Sequence, residues 1–248
     1  MYNPYSLEGK TILITGASSG IGRATAIECS KLGAKCVITA RNKERLQQTF
    51  ESLVGDGHVQ IIADLTIEDE RKILVDKSPR LNGFVCNAGI AHTKVVQFIN
   101  QEDLDKVFSV HTFAPVLLTK ELAKKKKLEN KCSIVVTSSV ASMRVGVGNA
   151  VYGMAKAAIA SFARSCALEF ASKDIRANSI HPAMVNTELA QSLGFLTQED
   201  YDADRKKYPL RRYANPQEIA WAIIYLLSDA AAWVTGSSLV IDGGALLV

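Results

Sequence analysis

Tyr152 and Lys156 are the two residues whose types and spacing best suit acid/base chemistry. They lie four positions apart in the segment YGMAKAA, so in a helix both side chains would leave one face. Tyrosine has an ordinary pKa of about 10, and an adjacent ammonium favours its phenolate, so the pair could pass a proton to or from a carbinol oxygen. Ser139, just after an apolar run, could donate a hydrogen bond to the same oxygen. Such a Tyr/Lys pair alone is usually a surface pair, but the Ala-rich surroundings argue against that here.

A glycine-rich stretch predicts where a cofactor carrying phosphates would bind. The sequence TGASSGIG, residues 15–22, follows an apolar run and opens a helical pattern over 21–32. Gly16 can turn the chain sharply, Gly20 lets the backbone approach a pyrophosphate, and Gly22 lets helix and strand pack closely. The positive end of the helix attracts the phosphates. A purely structural tight turn is the alternative, but the position between strand and helix favours a dinucleotide site.

Arg41 predicts which nicotinamide cofactor the protein uses. The second apolar run ends VITARN, which places Arg41 where an adenosine ribose is recognised. An acidic residue there would bind the 2′-hydroxyl of NAD(H), whereas a guanidinium suits a 2′-phosphate, so we expect NADP(H) rather than NAD(H) as the cofactor. A surface arginine at the start of a helix is the alternative. Polar or small residues at the ends of the next two runs would line the same crevice, and these are Asp64, placed to meet the adenine amino group, Asn87, Ala88 and Gly89.

Length and composition favour one soluble domain over residues 1–248. The 248 residues contain no linker or internal repeat, and 48% apolar with 22% charged residues is ordinary for a globular chain. A net charge of +4 is too small to demand a nucleic-acid partner. No apolar run is long enough to span a membrane and the start does not resemble a signal peptide, so we expect a cytoplasmic protein. The five cysteines form no C-x-x-C pair, which predicts buried thiols and no metal site.

The order of the apolar runs predicts an α/β protein. Runs with β-propensity alternate with helical patterns, which indicates βαβ repetition and a doubly wound, seven-stranded parallel sheet of Rossmann type with helices on both faces. Right-handed crossovers would then place the carboxyl ends of the first and fourth strands together at the topological switch point. The predicted strands are 10–15, 35–39, 59–62, 81–86, 133–138, 175–180 and 238–242, and the predicted helices are 20–32, 42–53, 67–77, 101–127, 150–172 and 216–228.

Taken together, the motifs resemble the short-chain dehydrogenase/reductase family over essentially the whole chain. The matching elements are the glycine motif from Thr15 to Gly22, Asp64, Asn87-Ala88-Gly89, Ser139, Tyr152-x-x-x-Lys156, NSIHPA at 178–183 and Thr187. The resemblance implies that Tyr152 is the acid/base, that Lys156 holds the nicotinamide ribose and lowers the pKa of Tyr152, and that Ser139 orients the substrate carbonyl. Hydride would pass between nicotinamide C4 and the substrate carbon. The implied cofactor contacts are Gly16, Ser18, Ser19, Gly20, Ile21, Gly22, Arg41, Asp64, Leu65, Asn87, Ala88, Gly89, Tyr152, Lys156, Val185 and Thr187.

Two positions depart from the family pattern. Pro182-Ala183 replaces the usual Pro-Gly, and we expect little effect on function. In VFSVHTFAP, residues 107–115, His111 replaces an asparagine of the family's catalytic set. Pro115 lacks an N–H, so it cannot bond the His111 carbonyl four residues earlier. We expect a kink there, with the main-chain carbonyl of His111 binding a water that extends a proton path from Lys156. Core filling by the imidazole, or its direct action as a base, is the alternative.

Residues 186–212, the surface lysines and the apolar C-terminal residues bear on the substrate and the partners. Residues 186–212 are expected to form a lid over the substrate, with Leu189, Leu193, Phe195 and Leu196 either lining the site or anchoring the lid. A small carbonyl or alcohol compound is the expected substrate. Within the family, a 3-oxoacyl-[acyl-carrier-protein] reductase is one alternative, in which Lys124 to Lys127 with Lys131 and Lys173 face an acyl carrier protein. A non-catalytic NADP-binding sensor or scaffold is the other. Apolar residues 245–248 and the small-residue helix 150–172 favour a homo-oligomer, and the resemblance implies a homotetramer.

Overall fold

Seven parallel strands form the centre of the computed structural model, which describes residues 2–191 and 197–248. The strand order is β3-β2-β1-β4-β5-β6-β7, and every neighbouring pair is parallel, as a doubly wound Rossmann-type sheet requires. The strands are β1 (Thr11–Thr15), β2 (Lys35–Ala40), β3 (Val59–Ile62), β4 (Leu81–Cys86), β5 (Leu128–Thr137), β6 (Arg176–Pro182) and β7 (Ser238–Ile241).

The central strands are apolar on both sides because helices cover both faces of the sheet. In β1, Leu13 packs into one buried cluster while Ile12 and Ile14 pack into the other. The continuous apolar runs therefore mark two-sided burial, as expected for a parallel sheet. The third strand and the fourth agree in full with the predicted ranges. The fifth begins earlier than predicted, at Leu128, because residues 128–132 extend the strand before its apolar part.

Helices connect the strands on both faces. The first cluster includes side chains of α3, α5 and α6, and the second includes those of α1 and α9. The helices are α1 (Gly20–Lys31), α2 (Lys43–Glu51), α3 (Glu68–Lys77), α4 (Gln101–Phe108), α5 (Ala114–Lys124), α6 (Ala150–Glu169), α7 (Glu188–Gln191), α8 (Gln198–Arg205) and α9 (Pro216–Leu227). Short 3₁₀ turns occur at Val96–Phe98, Val140–Ser142, Ala171–Lys173, Asp229–Ala231 and Ala245–Leu247.

The continuous helix predicted over 101–127 is wrong in one respect. A π-helical turn, Ser109–Phe113, separates α4 from α5, and Pro115 lies in the first turn of α5. A π turn widens the helix by one residue and bends it, which is how the chain accommodates a proline without an N–H. The expected kink is therefore present as a π bulge that contains His111.

The topological switch point lies where predicted, between β1 and β4. The Thr15 hydroxyl at the end of β1 donates to the Val85 carbonyl (3.2 Å) and accepts the amide protons of Asn87 (3.0 Å) and Ala88 (3.1 Å). This one buried hydroxyl thus holds the loop after β4 against the end of β1. The loops that follow β1 and β4 therefore form the crevice for a ligand.

Two further predictions concern burial and membranes. All five cysteines are buried and unpaired, in line with the expected buried thiols. Within the ranges 2–191 and 197–248, no helix combines the length and apolar character needed to cross a membrane.

Candidate active site

The carboxyl ends of strands β1 to β6 border a cavity of about 820 Å³, which we call the main cavity. Its volume is within the usual range for ligand sites. Most residues predicted for cofactor binding or catalysis lie along it. They are Gly16, Ser18, Ser19, Gly20, Ile21, Arg41, Asp64, Leu65, Asn87, Ala88, Gly89, His111, Ser139, Tyr152, Lys156, Val185 and Thr187.

The glycine loop forms a cradle that side chains would fill. Gly16 has φ of +67°, and a Cβ there would lie 2.8 Å from Cα of Ala88. Gly20 has φ of +52°, and its Cβ would lie 3.1 Å from Cγ2 of Thr187. Ser19 precedes α1 without its side chain accepting a hydrogen bond from the first turn. The first N–H groups of α1 therefore point toward the main cavity as donors suited to phosphate oxygens.

Gly22 differs from the other glycines of this loop because it does not line the main cavity. A Cβ at Gly22 would lie 2.3 Å from the Gly16 carbonyl oxygen and 2.6 Å from Nδ2 of Asn87. Both neighbours belong to the crossing of α1 with the ends of β1 and β4. The structure shows close packing of helix and strand at Gly22, as its spacing predicts, and a contact of Gly22 with the cofactor stays a prediction.

The cavity end at β2 and β3 carries both signs of charge. Nη1 of Arg41 lies 3.6 Å from Oδ2 of Asp64, and the Arg41 side chain is 62% exposed. Burial tends to raise the pKa of Asp64, but hydrogen bonds from Thr66 and the charge of Arg41 lower it overall. Asp64 is thus a carboxylate acceptor, and Arg41 keeps most of its guanidinium accessible.

Sequence reasoning missed several residues at this end, of which Arg45 and Thr39 carry polar groups of interest. Arg45 lines the main cavity from α2, and its Nη1 lies 2.5 Å from a carboxylate oxygen of Glu188 in α7. Thr39 also lines it, and its buried Oγ1 has no hydrogen-bond partner among the described residues. The spacing from Arg41 to Arg45, one helical turn, is the signal that could have identified the second arginine.

Tyr152 and Lys156 project from α6 into the middle of the main cavity. Nζ of Lys156 lies 5.6 Å from the Tyr152 ring centroid and donates to the Thr137 carbonyl at 2.7 Å. Ser139 follows β5 and forms a side-chain hydrogen bond with Tyr152. The three polar groups thus converge on one region, as predicted.

Burial is the main cause of the pKa shifts at this centre. Burial raises the pKa of Tyr152, and the Ser139 hydrogen bond offsets only part of that rise. Burial also lowers the pKa of Lys156 to about 8, so Lys156 loses its proton at a lower pH than an exposed lysine. Burial therefore dominates the Tyr152 pKa while the Lys156 ammonium donates to the Thr137 carbonyl, and the lowering of the Tyr152 pKa by Lys156 stays a prediction. At neutral pH Tyr152 is a protonated phenol, the form that donates a proton.

The turn that carries Ser139 is held from below by a buried histidine. Nδ1 of His181 on β6 lies 3.0 Å from Oγ of Ser142 and 3.2 Å from the Ser139 carbonyl, while Nε2 lies 2.8 Å from Oγ of Ser179. Oγ of Ser139 accepts the amide proton of Ala141 at 3.1 Å. These bonds hold the turn at Ser139 and leave its hydroxyl proton for the Tyr152 oxygen.

His111 is neutral and clamps the loop after β4. Its Nε2 lies 3.1 Å from the Ile90 amide nitrogen and 2.9 Å from the Ile90 carbonyl, and its ring meets Tyr152 edge-on at 5.3 Å between centroids. Burial, helped by the Lys156 charge, lowers the pKa of His111 to about 3. A Cβ at Gly89 would lie 2.7 Å from Cε1 of the imidazole, so that glycine is needed for the close approach.

A small cavity lies next to His111. It measures about 10 Å³ and includes Pro115, Thr137 and Lys156 in its lining. This is about the size of one water, and the buried Oγ1 of Thr137 has no partner among the residues described. The cavity borders His111 and Lys156, the two residues between which the sequence predicts a water, although most of its lining is apolar.

Part of the predicted lid lies outside the described residues, including Leu193, Phe195 and Leu196. Leu189 lines the main cavity and is 43% exposed. Helix α8 is attached to α7 by a hydrogen bond from the Tyr201 hydroxyl to the Ala190 carbonyl, 3.2 Å long. Helix α7 therefore borders the cavity through Leu189 and Ala190, and α8 is joined to α7.

Several further residues line the main cavity that no sequence motif identified. At the end near Ser139 these are His92, Arg144, Asn149, Met184 and Tyr208. Arg144 had a signal, since it is the one charged residue between Ser139 and Tyr152. The others come from loops whose spacing shows no chemical pattern.

Comparisons with known proteins agree with this geometry. The family described as Enoyl-(Acyl carrier protein) reductase matches residues 16–245. A 3-oxoacyl-[acyl-carrier-protein] reductase of Rickettsia felis is 33% identical over 98% of this chain and 99% of its own. An L-xylulose reductase of Caenorhabditis elegans is 34% identical over 97% of each chain. A solved structure from Beutenbergia cavernae, provisionally described as an NAD(P) dependent gluconate 5-dehydrogenase with bound NADP at low occupancy, has a TM-score of 0.89 and 27% identity, and covers 99% of this chain and 100% of that one.

The matched range of the family spans well over half of the chain, and the Rickettsia felis relative exceeds 30% identity over nearly all of it. The sheet order and the Ser139, Tyr152 and Lys156 constellation point the same way. The chain therefore belongs to the short-chain dehydrogenase/reductase family, whose members are oxidoreductases acting on carbonyl and alcohol substrates.

Proposed function

We propose that the protein is an NADP(H)-dependent carbonyl reductase, equally an alcohol dehydrogenase in the reverse direction, with Tyr152 as its acid/base. The observation that carries this proposal is the convergence of Ser139, Tyr152 and Lys156 in one cavity whose other end is a glycine cradle at a helix N-terminus. Proton donor and phosphate donors thus lie along a single continuous site. That arrangement suits a reaction between a nicotinamide and a carbonyl compound.

The residues present fit a dinucleotide. A Cβ at Gly16 would meet the Ala88 backbone, and a Cβ at Gly20 would meet Thr187. Glycine at both positions avoids these contacts and lets a pyrophosphate approach the backbone closely. Arg41 and Arg45 at the β2 end support a 2′-phosphate and hence NADP(H) over NAD(H). Asp64 and Leu65 would border the adenine, and Val185 with Thr187 the nicotinamide. The bound cofactor would supply the hydride.

The catalytic residues would handle the proton and the developing charge. The phenol of Tyr152, held protonated by burial, donates its proton to the substrate carbonyl oxygen. The Ser139 hydroxyl donates a hydrogen bond to the same oxygen and stabilises the charge that forms on it. Lys156 holds the ribose and, by its positive charge, assists the loss of the Tyr152 proton in the transition state.

The π bulge supports a role for the His111 backbone. Pro115 leaves the His111 carbonyl without an α-helical partner, and the small cavity borders both His111 and Lys156. We propose that this carbonyl binds a water that returns protons to Lys156, with the imidazole fixing the bulge through Ile90. Activity that survives His111→Asn but falls in Pro115→Ala supports this relay; the opposite result overturns it.

The 3-oxoacyl-[acyl-carrier-protein] reductase alternative loses one of its arguments. Lys124 to Lys127 immediately precede β5, whereas Ser139 follows its other end. A ten-residue strand spans about 33 Å, so the basic run lies at the opposite edge of the sheet from the active centre. Lys125 pairs there with Asp76, and Lys127 donates to the Ser78 carbonyl. A solvated helix end explains these lysines, and a carrier protein would need another surface.

A homo-oligomer, with a tetramer as the expected state, is part of the proposal. Several large apolar side chains are exposed, among them Phe98 (62%), Phe113 (53%), Met154 (51%), Trp233 (99%) and Leu247 (86%). Patches of this kind mark interfaces between subunits. Light scattering that gives a monomer at micromolar concentration overturns this part.

The test of the proposed function is a spectrophotometric screen of NADPH oxidation over ketones of different size and charge. Turnover of at least one ketone with NADPH, absent in Tyr152→Phe, supports it. Tight NADPH binding with no turnover on any ketone moves the protein to the sensor or scaffold alternative. A preference for 3-oxoacyl thioesters on carrier protein over all free ketones would identify the acyl-carrier-protein reductase instead.

A further inference from the structure

His181 lies on β6, next to the turn that carries Ser139. Its neighbour two residues earlier on the strand is Ser179, so both side chains leave the same face of the sheet, and both are buried. The strand packs against α6 and against the 3₁₀ turn Val140–Ser142. Because His181 does not line the main cavity, it can influence a reaction there only through the residues that it holds.

The carbonyl of Ser139 is the group that His181 holds. The amide of Ser142 donates to this carbonyl at 3.0 Å and the Ser142 hydroxyl at 2.6 Å, while Nδ1 of His181 lies 3.2 Å from it. The hydroxyl has one proton, which its bond to the carbonyl uses, so Oγ of Ser142 faces Nδ1 of His181 as an acceptor, 3.0 Å away. Both neighbours of Nδ1 are therefore acceptors, which requires a proton on Nδ1.

The imidazole of His181 is neutral. Its hydrogen-bond partners among the described residues are hydroxyl and carbonyl oxygens, with no carboxylate. Burial lowers the pKa of His181 below its usual 6.5, and the charges of Arg164 and Lys156 add to this effect. The ring therefore carries a single proton at pH 7, and that proton is on Nδ1.

The second ring nitrogen agrees with this tautomer. Nε2 of His181 lies 2.8 Å from Oγ of Ser179, and a neutral ring protonated on Nδ1 accepts a hydrogen bond there. The Ser179 hydroxyl supplies that proton. Oγ of Ser238 on β7 lies 3.1 Å from Oγ of Ser179 and can donate to it in turn. A single tautomer of His181 thus satisfies a hydrogen-bonded chain that runs from β7 to Ser139.

This chain determines the direction of the Ser139 side chain. Oγ of Ser139 accepts the Ala141 amide proton at 3.1 Å and donates its own proton to the Tyr152 oxygen. The carbonyl bonds hold the backbone of the same residue, so the hydroxyl has little freedom to turn away. In the proposed reaction it must point to the substrate oxygen that receives the Tyr152 proton. A displacement of about 1 Å in such a group can lower a rate about 100-fold.

We propose that His181 is a positioning residue for this reaction: its Nδ1–H holds the Ser139 carbonyl, so that the Ser139 hydroxyl is aimed at the oxygen on which charge develops. The inference rests on the proposed function, because it gives His181 a part in the same carbonyl chemistry. The imidazole touches neither substrate nor cofactor, and it neither gains nor loses a proton during the reaction.

The test is a double-mutant cycle between positions 181 and 139. The values of kcat and KM are measured for His181→Leu, Ser139→Ala and the double variant, with NADPH and the ketone that the wild type turns over fastest in the screen above. His181→Asn is the conservative variant, since its amide keeps an N–H near the position of Nδ1. His58→Leu is the matched control, because Nδ1 of His58 accepts the Cys36 amide proton at 3.0 Å at the amino end of β2, far from Ser139.

The positioning role predicts that His181→Leu lowers kcat by about 10- to 100-fold and changes the KM for NADPH by less than about 3-fold. In the Ser139→Ala background the same change lowers kcat by less than about 3-fold, because the hydroxyl that it aims is absent. His181→Asn and His58→Leu keep kcat within about 3-fold of the wild type. If His181→Leu does not fold, Ser179→Ala replaces it in the cycle, since it removes the donor that keeps the proton on Nδ1.

An equal loss of kcat in both backgrounds indicates a purely structural histidine and overturns the inference, as does a His181→Leu variant with wild-type kcat. A second measurement needs no turnover. In protein labelled with carbon-13 at tyrosine Cζ, the Tyr152 signal is assigned by its loss in Tyr152→Phe and reports the hydrogen bond at its oxygen. At pH 7 without cofactor or ketone, His181→Leu and Ser139→Ala should shift this signal in the same direction, and His181→Asn should not.

A Tyr152 signal that His181→Leu leaves unchanged overturns the inference even where ketones are reduced and the proposed function holds. If no ketone is turned over, the proposed function fails separately. The Tyr152 signal alone then decides whether His181 positions the Ser139 hydroxyl.

Discussion

The buried imidazole of His111 makes the stability of the protein depend on pH in a defined way. His111 is 2% exposed, and burial with the Lys156 charge lowers its pKa from 6.5 to about 3. The unfolded chain therefore binds a proton at His111 as the pH falls below about 6.5, while the folded protein does not until about pH 3. The contribution to stability is complete above pH 6.5 and is lost progressively as the pH falls through this window.

The size of the loss follows from the two pKa values. Between pH 6 and pH 4, one histidine with these values lowers the free energy of unfolding by about 2.5 kcal/mol. Urea unfolding of the wild type and of His111→Asn, at several pH values without cofactor, measures this. Asparagine can bond the Ile90 backbone as donor or acceptor but does not titrate, so the variant should lack this part of the pH dependence.

The comparison isolates His111 because all other titrating groups are shared by the two proteins. His111→Gln serves as a second variant if asparagine disturbs the bulge. Equal changes in unfolding free energy from pH 6 to pH 4 in wild type and both variants would refute the neutral, buried imidazole and its clamp on Ile90.

Three other predictions address the cofactor site and the catalytic centre. Arg41→Ala should weaken NADPH binding by about 10-fold and leave NADH binding unchanged, measured by fluorescence titration; equal effects on both cofactors would contradict the 2′-phosphate contact. Gly22→Ala should destabilise the fold by about 3 kcal/mol in urea unfolding, because its Cβ would lie 2.3 Å from the Gly16 carbonyl oxygen, whereas Gly146→Ala meets nothing nearer than 3.5 Å and serves as the control. The kcat/KM for ketone reduction should decline above about pH 8, where Lys156 loses its proton. The Lys156→Arg variant should lack this decline in its pH profile even if its rate is lower. The same pH profile in the variant and the wild type would contradict the pKa assigned to Lys156.

The fold could be predicted because its signals are local and repeated. The strands β1 and β2 are buried on both faces, so a continuous apolar run predicts both the strand and its place in a parallel sheet. The π turn at 109–113 could not be located in the same way. Pro115 predicts a break, but which residue widens the helix depends on the packing of His111 against Ile90 and Tyr152.

The sequence predicts which residues meet at the site, but it does not predict the direction of their charged groups or the shifts of their pKa values. Motif spacing places Tyr152 and Lys156 together, whereas the direction of the Lys156 ammonium depends on the Thr137 carbonyl at the end of β5. The raised pKa of Tyr152 follows from burial, which no pair spacing reveals. Thr39 and Met184 likewise line the cavity although no sequence pattern distinguishes them.

The central claim is that Tyr152 transfers the proton during hydride transfer to a carbonyl carbon. The most direct measurement follows deuterium from NADPH labelled at C4 into the alcohol product by mass spectrometry, for the wild type and for Tyr152→Phe. The account predicts one deuterium at the carbinol carbon with the wild type and none above background with Tyr152→Phe, although the variant binds NADPH with a Kd within about 3-fold of the wild type. Deuterium transfer by Tyr152→Phe at the wild-type rate would contradict it.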